Sequence, residues 1–363
     1  MRRAVISGWG RCVPPTVLSN ADLEGMMDTS DEWITVRSGI KERRISHVEP
    51  SEMAAVAGSH ALAAAGLGIE DIDLIILASC TSDSVVPATA AHVHRLLEAP
   101  VATAAFDLNA NCSGFVYSLI TASKMIESGM YSRVLVVAAE RLSALIDFTD
   151  RSTAVLFGDA AGAVVLEPTE EEYGLLSGCM QMDSSALTYL EVTEDGLHRM
   201  PERHMEDAYG GIAMNGREVF RRAVVAMGDL SVRAVTAAGL DLDDVDLLIP
   251  HQANIRIIDA TARRLKLPAH KVYTNIHAYG NTSAATIPVA LTEALEQGYI
   301  SPGSHVVFAA FGGGLTAAAA MMRWGERTEP LERSDAVLAP TERSLMELLD
   351  ANFQVYGFPE KLK

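Results

Sequence analysis

AAGLGIEDIDLIIL (residues 64–77) and AAGLDLDDVDLLIP (residues 237–250) are two versions of one segment, and their repetition decides the fold. Each carries the end of an alanine-rich helical pattern into a glycine suited to a helix C-terminus, then a short acidic turn, then a continuous apolar run. Such a run, apolar at every position, suits a strand covered on both faces. Asp71 matches Asp244 and Asp73 matches Asp246, an offset of 244 − 71 = 173. A second match lies downstream. Asn111-Cys112-Ser113-Gly114 opens an apolar helix ending at Ser128-Gly129, before a strand over 133–138. Asn281-Thr282-Ser283-Ala284 opens another ending at Gln297-Gly298, before a strand over 305–310, and here the offset is 281 − 111 = 170. Two matches at nearly one spacing imply two α/β halves related by duplication. Each half reads as strand, helix, strand, helix, strand.

The boundaries follow from the repeat: a first half over 1–170, a second over 171–324, and a C-terminal extension over 325–363. The polar stretch 187–211, with His198 and His204, reads as a surface loop or lid in the second half. Residues 325–340 are charged and proline-punctuated, the composition of a linker. Residues 341–353 read as a short amphipathic helix with Thr341 as its N-cap.

Composition narrows the function classes. The chain is 49% hydrophobic and 21% charged over 363 residues, enough apolar content for a large core. Its formal net charge of −18 argues against a nucleic-acid partner, which needs a basic face. Cys12, Cys80, Cys112 and Cys179 form no C-x-x-C pair, so neither a disulfide framework nor a structural metal site is expected, and the natural setting is a reducing cytoplasm. The opening MRRAVISGWG reads as a strand and turn rather than a secretory signal. The uncharged stretch 306–322 is broken by Gly312-Gly313-Gly314, so it reads as two buried strands about a loop, with no membrane partner.

Three positions carry candidate chemistry. Cys112 follows the strand-like AAFDL and begins a helix, where the helix N-terminal partial charge and backbone N–H groups favour thiolate, the nucleophilic form. His251, in PHQAN, follows the buried run LLIP at a strand end, where α/β proteins place their ligands. Asn281, in YGNTSAA, opens the helix that mirrors the Cys112 turn, so the duplication sets the two turns at equivalent places. Each residue taken alone also has an ordinary structural reading: a buried core thiol, a hydrogen-bonded histidine, a helix N-cap. Gly312-Gly313-Gly314 fits a close backbone approach that presents N–H groups to an oxyanion. No G-x-G-x-x-G after a strand, Walker loop, H-E-x-x-H or G-x-S-x-G is present, which disfavours nucleotide, metallopeptidase and α/β-hydrolase chemistry.

With those strings in hand, the chain resembles the β-ketoacyl-acyl-carrier-protein synthase III family of the thiolase superfamily. The resemblance is carried by DTSDEWI (28–34), RSGIKERRI (37–45), the Cys112 turn, TDRSTAVLFGDAAGA (149–163), PHQANIRII (250–258), GNTSAA (280–285) and FGGG (311–314), in family order over roughly residues 1 to 324. It implies a thiolase-like fold whose two halves form a layered α-β-α-β-α body. It implies acyl transfer from a coenzyme A thioester to Cys112, then condensation with a malonyl unit whose enolate is held by His251 and Asn281. The backbone N–H groups of Cys112 and Gly313 would form the oxyanion hole. Trp33 and Arg151 would sandwich the adenine of coenzyme A, with Arg37 near the same mouth. Arg221, Arg222, Arg256, Arg263 and Arg264, with Lys266 beside them, would dock an acidic acyl carrier protein. Coenzyme A enters as substrate; no cofactor and no metal is implied, and the family forms homodimers.

The sequence departs from the family in places. Ser113 stands where Cys-Ala-Gly is usual. Val86 stands where many members carry a bulky aromatic that limits the acyl pocket from the neighbouring subunit, so a primer longer than acetyl is expected to fit. The extension 325–363 runs past the usual end. The implied reaction is the initiating condensation of fatty-acid synthesis. The alternative is a related enzyme of secondary metabolism that passes a longer acyl chain to another acceptor. A degradative thiolase would need a second cysteine near Gly312–Gly314, a chalcone-synthase-like enzyme lacks the DTSDEWI and GNTSAA strings, and a non-catalytic acyl-binding module would not need Cys112, His251 and Asn281 together.

Overall fold

A computed structural model of the chain describes residues 2–192 and 211–362; residues 193–210, including His198 and His204 of the expected loop, lie outside them. The elements that build the body are β1 (Arg3–Cys12), α1 (Pro50–Ala65), β2 (Leu74–Ala78), β3 (Ala104–Leu108), α2 (Gly114–Glu127), β4 (Val134–Arg141), β5 (Asp159–Thr169), β6 (Gly174–Met182), α3 (Gly216–Ala237), β7 (Leu247–Pro250), α4 (Ile255–Arg264), α5 (Thr286–Glu296), β8 (His305–Gly312), β9 (Thr316–Arg323) and α6 (Leu345–Tyr356).

The first half is a five-stranded sheet in the order β1-β5-β4-β2-β3, and the second a four-stranded sheet in the order β7-β8-β9-β6. In both, a strand after an acidic turn lies parallel to its neighbour (β2 to β4, β7 to β8), which in turn runs antiparallel to the next (β4 to β5, β8 to β9). The fifth strand of the first sheet, β3, has only a single bridge as its counterpart, Leu248 to Val272. The acidic turns match atom for atom. Asp71 accepts from Gly68 N at 3.0 Å and Asp244 from Asp241 N at 2.8 Å. Asp73 accepts from Arg133 N at 2.9 Å and Asp246 from His305 N at 2.8 Å. Gly66 and Gly239 follow α1 and α3 at φ 68° and 77°, the left-handed region where a side chain would be strained.

Strand alternation builds the layers. Leu74, Ile76, Val134, Val136, Val164 and Leu166 join one buried cluster with α2, α5 and the second sheet, while Ile75, Leu77, Leu135, Val137, Ala163 and Val165 join another with α1. The second sheet's other face packs α3 and α4 through Leu248, Val307, Ala309, Ala317 and Met321. The α2 and α5 helices therefore fill the middle of an α-β-α-β-α stack, and the turns that open them face the same interior.

The extension corrects the linker reading. Residues 325–340 are docked along α1: Leu331 N and Glu332 N donate to Ala64 and Ala63 O at 3.1 Å, carbonyls of the helix's last turn that also accept from Arg327 Nη1 and Gly66 N. His60 Nε2 and His47 Nε2 lie 2.8 and 2.7 Å from Ala336 O and Ala339 O. The helix after it, α6, is capped by Ser344 and not by Thr341: Ser344 and Glu347 form a reciprocal capping box that Thr341 has no partner for. Leu348, Leu349 and Phe353 bury their faces against Leu145, Ile146 and Phe148, and Asn352 Nδ2 donates to Ser143 O and Ile146 O, both at 2.8 Å.

Candidate active site

The strand β3 delivers the chain to Asn109, and the turn Asn109-Ala110-Asn111-Cys112 feeds α2. Asn109 Oδ1 accepts from Asn111 N at 3.1 Å and Asn111 takes φ 50°. The second half repeats this two residues away from where the sequence match placed it. Asn281 Oδ1 accepts from Ser283 N at 2.9 Å and Ser283 takes φ 49°. The structural offset is 281 − 109 = 172, so Asn281 corresponds to Asn109, and Cys112 to Ala284. The offset of 170 aligned the wrong asparagine of the first turn.

Cys112, His251 and Asn281 nevertheless line one cavity of about 130 Å³, with Phe157, Leu190 and Phe311 around them. All three are buried, at 8%, 2% and 6% exposure. The cavity continues between Val219 and Phe220 of α3 and Asn254 and Ile257 of α4. Leu190 and Met214 belong to Leu190–Val192 and Ile212–Met214, an antiparallel pair at the base of the insertion, so the expected loop region contributes the cavity's wall.

Burial pushes the Cys112 thiol up to about 12, with the charge of Glu140 acting in the same direction against the Ser283 hydroxyl and backbone N–H groups. The expectation of a resting thiolate is thereby corrected: desolvation outweighs the helix N-terminus, and the sulfur holds its proton at neutral pH. Burial also lowers His251 to about 3, so its imidazole is neutral. Its Nδ1 lies 2.7 Å from Thr286 Oγ1, which lies 3.0 Å from Ser283 O. The single hydroxyl proton of Thr286 can serve only one of these. When it goes to Nδ1, the imidazole proton sits on Nε2 and that atom donates into the cavity. The Asn281 carboxamide is oriented unambiguously, because Ser283 N–H can only donate, which leaves Nδ2 free of protein partners among the described residues.

The glycine loop approaches as its composition requires. A Cβ on Gly312 would stand 2.8 Å from Cys112 N and 3.0 Å from Thr316 Oγ1, so any side chain there would collide with the nucleophile's backbone. Gly313 O accepts from Asn111 Nδ2 at 3.1 Å, tying this loop to the Cys112 turn.

Trp33, Arg37 and Arg151 do not line the cavity; Trp33 has two guanidinium groups near its ring, Arg37 at 4.4 Å and Arg151 at 4.7 Å from the ring centre. Trp33 and Arg151 are thus already stacked on each other, and an adenine placed between them must first displace the arginine. Arg221 and Arg222 lie on α3, and Arg256, Arg263 and Arg264 on α4, which packs beside it. Arg221 pairs with Glu218, Arg222 with Asp183 and Arg264 with Asp229, while Arg256 and Arg263 make no ion pair among the described residues. Val86 lies outside the cavity and is 85% exposed.

Sequence reasoning missed Glu140, Ser283 and Thr286. Glu140 ends the apolar run VLVVAAE and is fully buried, and a lone carboxylate at the end of such a strand was the available signal.

Comparison with known proteins agrees with this geometry. Residues 106–184 match the model for 3-oxoacyl-[acyl-carrier-protein (ACP)] synthase III, and residues 235–324 match its C-terminal counterpart. A β-ketoacyl-[acyl-carrier-protein] synthase III 2 of Vibrio cholerae is 48% identical over 95% of both chains. A β-ketoacyl-[acyl-carrier-protein] synthase III of Roseiflexus castenholzii is 50% identical over 88% of this chain and 98% of its own. The crystal structure of 3-oxoacyl-[acyl-carrier-protein] synthase III from Aquifex aeolicus superposes with a TM-score of 0.83 at 44% identity, over 88% of this chain and all of that one. An alignment over 95% of the chain cannot stop at residue 324, so part of the extension is shared with the Vibrio protein.

Proposed function

We propose a residue-level mechanism for a chain that belongs to the β-ketoacyl-[acyl-carrier-protein] synthase III family. It is a condensing acyltransferase of the kind that initiates fatty-acid synthesis. The observation that carries the assignment of roles is the single buried cavity shared by Cys112 from the first half and His251 and Asn281 from the second.

In the first step Cys112 Sγ attacks the carbonyl carbon of an acyl-coenzyme A thioester. The new C–S bond forms as the bond to the coenzyme A sulfur breaks, and the thiol proton ends on that leaving sulfur. In the second step a malonyl thioester on the carrier protein loses CO2. The electron pair of the broken C–C bond becomes an enolate, whose oxygen accepts from His251 Nε2–H and Asn281 Nδ2–H. Two neutral donors suit this task, because they stabilise developing charge without first surrendering a proton. The enolate carbon then attacks the acyl-Cys112 carbonyl, whose oxyanion is held by the N–H groups of Cys112 and Gly313. Collapse forms the 3-oxoacyl thioester and releases the Cys112 sulfur, which takes up a proton.

Carrier docking on α3 and α4 fits the direction of the cavity, which runs between those helices toward Arg221, Arg222 and Arg256. Arg263 and Arg264 extend the same basic face. Trp33, Arg37 and Arg151 would hold the coenzyme A end. A homodimer fits β3, a half-buried edge strand with no neighbouring strand on its outer side among the described residues, with Val86 and Val101 exposed. In that arrangement Val86 closes the partner's acyl pocket, and its small side chain admits primers longer than acetyl. No helix among the described residues is long and apolar enough to cross a membrane, and a cytoplasmic location suits the substrates.

Product analysis with malonyl-acyl carrier protein and acetyl-, butyryl- and octanoyl-coenzyme A tests the assignment. The expected product is a 3-oxoacyl carrier protein two carbons longer than each accepted primer. Transfer of the primer to another acceptor without CO2 release would overturn it, and a strict acetyl preference would overturn the role of Val86.

A further inference from the structure

One buried acid is not used by the chemistry above. Glu140, at the end of β4 in the first half, meets only donors: Ser79 Oγ at 3.3 Å, Cys80 N at 3.1 Å, Cys80 Sγ at 3.3 Å, Thr81 Oγ1 at 2.6 Å and Ser283 Oγ at 2.9 Å. Each of these partners can donate and Cys80 N–H can do nothing else, so a carboxylate accepts from all of them, although burial pushes its pKa up. No cation is bonded to it among the described residues. A buried carboxylate of this kind is expensive unless its hydrogen bonds are all made, and an apolar side chain would fill a purely structural role at lower cost.

Ser283 is where the acid reaches the second half, and every polar group of that residue leads to the site. Its Oγ is bound to Glu140. Its N–H holds Asn281 Oδ1 at 2.9 Å, which turns the amide donor toward the cavity. Its carbonyl lies 3.0 Å from Thr286 Oγ1, the partner of His251 Nδ1. Ser283 also sits at φ 49°, a conformation that a non-glycine residue keeps only when its surroundings hold it.

We propose that Glu140 is a positioning residue for decarboxylation: by anchoring Ser283, whose N–H holds Asn281 Oδ1, it fixes the Asn281 carboxamide with its amide donor toward the cavity. This rests on the mechanism given above. The acid belongs to one half and the donor it aligns belongs to the other, so the two halves are registered at an atom that holds the enolate. Acylation needs only Cys112 and the oxyanion donors; the Ser283 hydroxyl also bonds the Cys112 thiol, and once released from Glu140 it remains free to do so. Loosening the anchor therefore separates the two half-reactions.

The test measures the half-reactions one at a time in wild type, Glu140→Gln and Thr81→Val. Acylation is followed as the mass gain of the enzyme with acyl-coenzyme A, and condensation as CO2 released from malonyl-acyl carrier protein by the acylated enzyme. Glu140→Gln is expected to slow CO2 release by roughly 10- to 100-fold, the scale of losing hydrogen bonds to a charged group. Acylation should stay within about 3-fold or accelerate, since Glu140's charge opposes thiolate formation. Thr81→Val keeps the shape of the side chain, removes the 2.6 Å bond that Thr81 Oγ1 gives Glu140 without touching Ser283 or Asn281, and should show the same split at smaller amplitude. A parallel fall of both half-reactions in the two variants would reduce Glu140 to a structural acid and overturn the proposal, and so would CO2 release at the wild-type rate. A wild-type enzyme that never acylates would instead overturn the mechanism on which the proposal rests.

Discussion

The turns Asn109–Cys112 and Asn281–Ala284 share backbone geometry almost dihedral for dihedral, yet they divide the chemistry between them. Both open with an asparagine whose side chain accepts from the third residue's N–H, and both place that third residue near φ 50°. The fourth residue is the nucleophile Cys112 in one and the inert Ala284 in the other. The first residue is exposed Asn109 in one and buried Asn281 in the other. The strands opposite differ as well: Glu140 on β4 reaches Ser283, while its counterpart Gly312 on β8 lies bare against Cys112 N. Duplication kept a strand-turn-helix frame that closes on itself by local hydrogen bonds. The side chains at its second to fourth positions were then free to specialise, because the asparagine at the first position closes the frame.

The comparison breaks most visibly at its first and fourth positions. Cys112→Ala should abolish the acyl adduct and lower condensation by about 10³-fold or more, since no other group in the cavity replaces the sulfur. Asn281→Ala should lower CO2 release by roughly 10²- to 10³-fold, the scale of one lost oxyanion donor. Asn109→Ala, at the matching place, should lose only a turn hydrogen bond and keep turnover within about 3-fold. Steady-state rates on the three variants check this, and equal losses at Asn281 and Asn109 would contradict the division of labour.

Gly312→Ala comes next. Its Cβ would stand 2.8 Å from Cys112 N, with backbone on the receiving side, so the nucleophile's N–H must shift. Acylation should fall by about 10²-fold, measured as the rate of adduct formation. A rate near wild type would show that the loop yields without disturbing the oxyanion donors.

A smaller effect separates the two turns by pH. With Cys112 raised to about 12, the thiolate fraction grows with every unit of pH below that value. Alkylation by iodoacetamide should therefore climb roughly tenfold per unit from pH 7 to pH 10. A plateau by pH 8 would mean that the helix N-terminus prevails over burial. His251, lowered to about 3, stays neutral throughout, so no break in condensation rate near pH 6.5 should come from it.

Much of this was legible in the sequence because duplication converts a weak local pattern into a paired one. Asp71 and Asp244, or Asp73 and Asp246, make the same bonds and so survive as the same letters. The layered order of the body and the meeting of Cys112, His251 and Asn281 followed from that pairing and from the resemblance. The correspondence of the turns was misread by two residues because Asn109 and Asn111 both offer an asparagine, and only backbone dihedrals tell which one matches Asn281. Three things were hidden for physical reasons. The protonation of Cys112 depends on desolvation by residues far away in sequence. The roles of Glu140 and Ser283 depend on contacts 143 positions apart. The docking of residues 325–340 depends on carbonyls in the last turn of α1, while their polar composition resembles that of a free linker.

The smallest expected effect lies in the part with no counterpart in either half. Asn352→Ala takes the side-chain donor from Ile146 O and leaves Ser143 O only Ile146 N at 3.3 Å, and should cost about 1–3 kcal/mol of stability, a fall of several degrees in Tm. Turnover at a temperature where the variant is folded should be unchanged. A large loss of rate without a fall in Tm would assign α6 a part in the reaction.

The most direct test is to locate the acyl group. Cys80 Sγ lies 3.7 Å from the Ser283 hydroxyl that Cys112 also bonds, so it is the second thiol to be excluded as the acyl carrier. Peptide mass spectrometry after brief exposure to acyl-coenzyme A should find the adduct on Cys112, and malonyl-acyl carrier protein should discharge it with release of CO2. An adduct on Cys80, or one on Cys112 that malonyl-acyl carrier protein cannot discharge, would contradict the account.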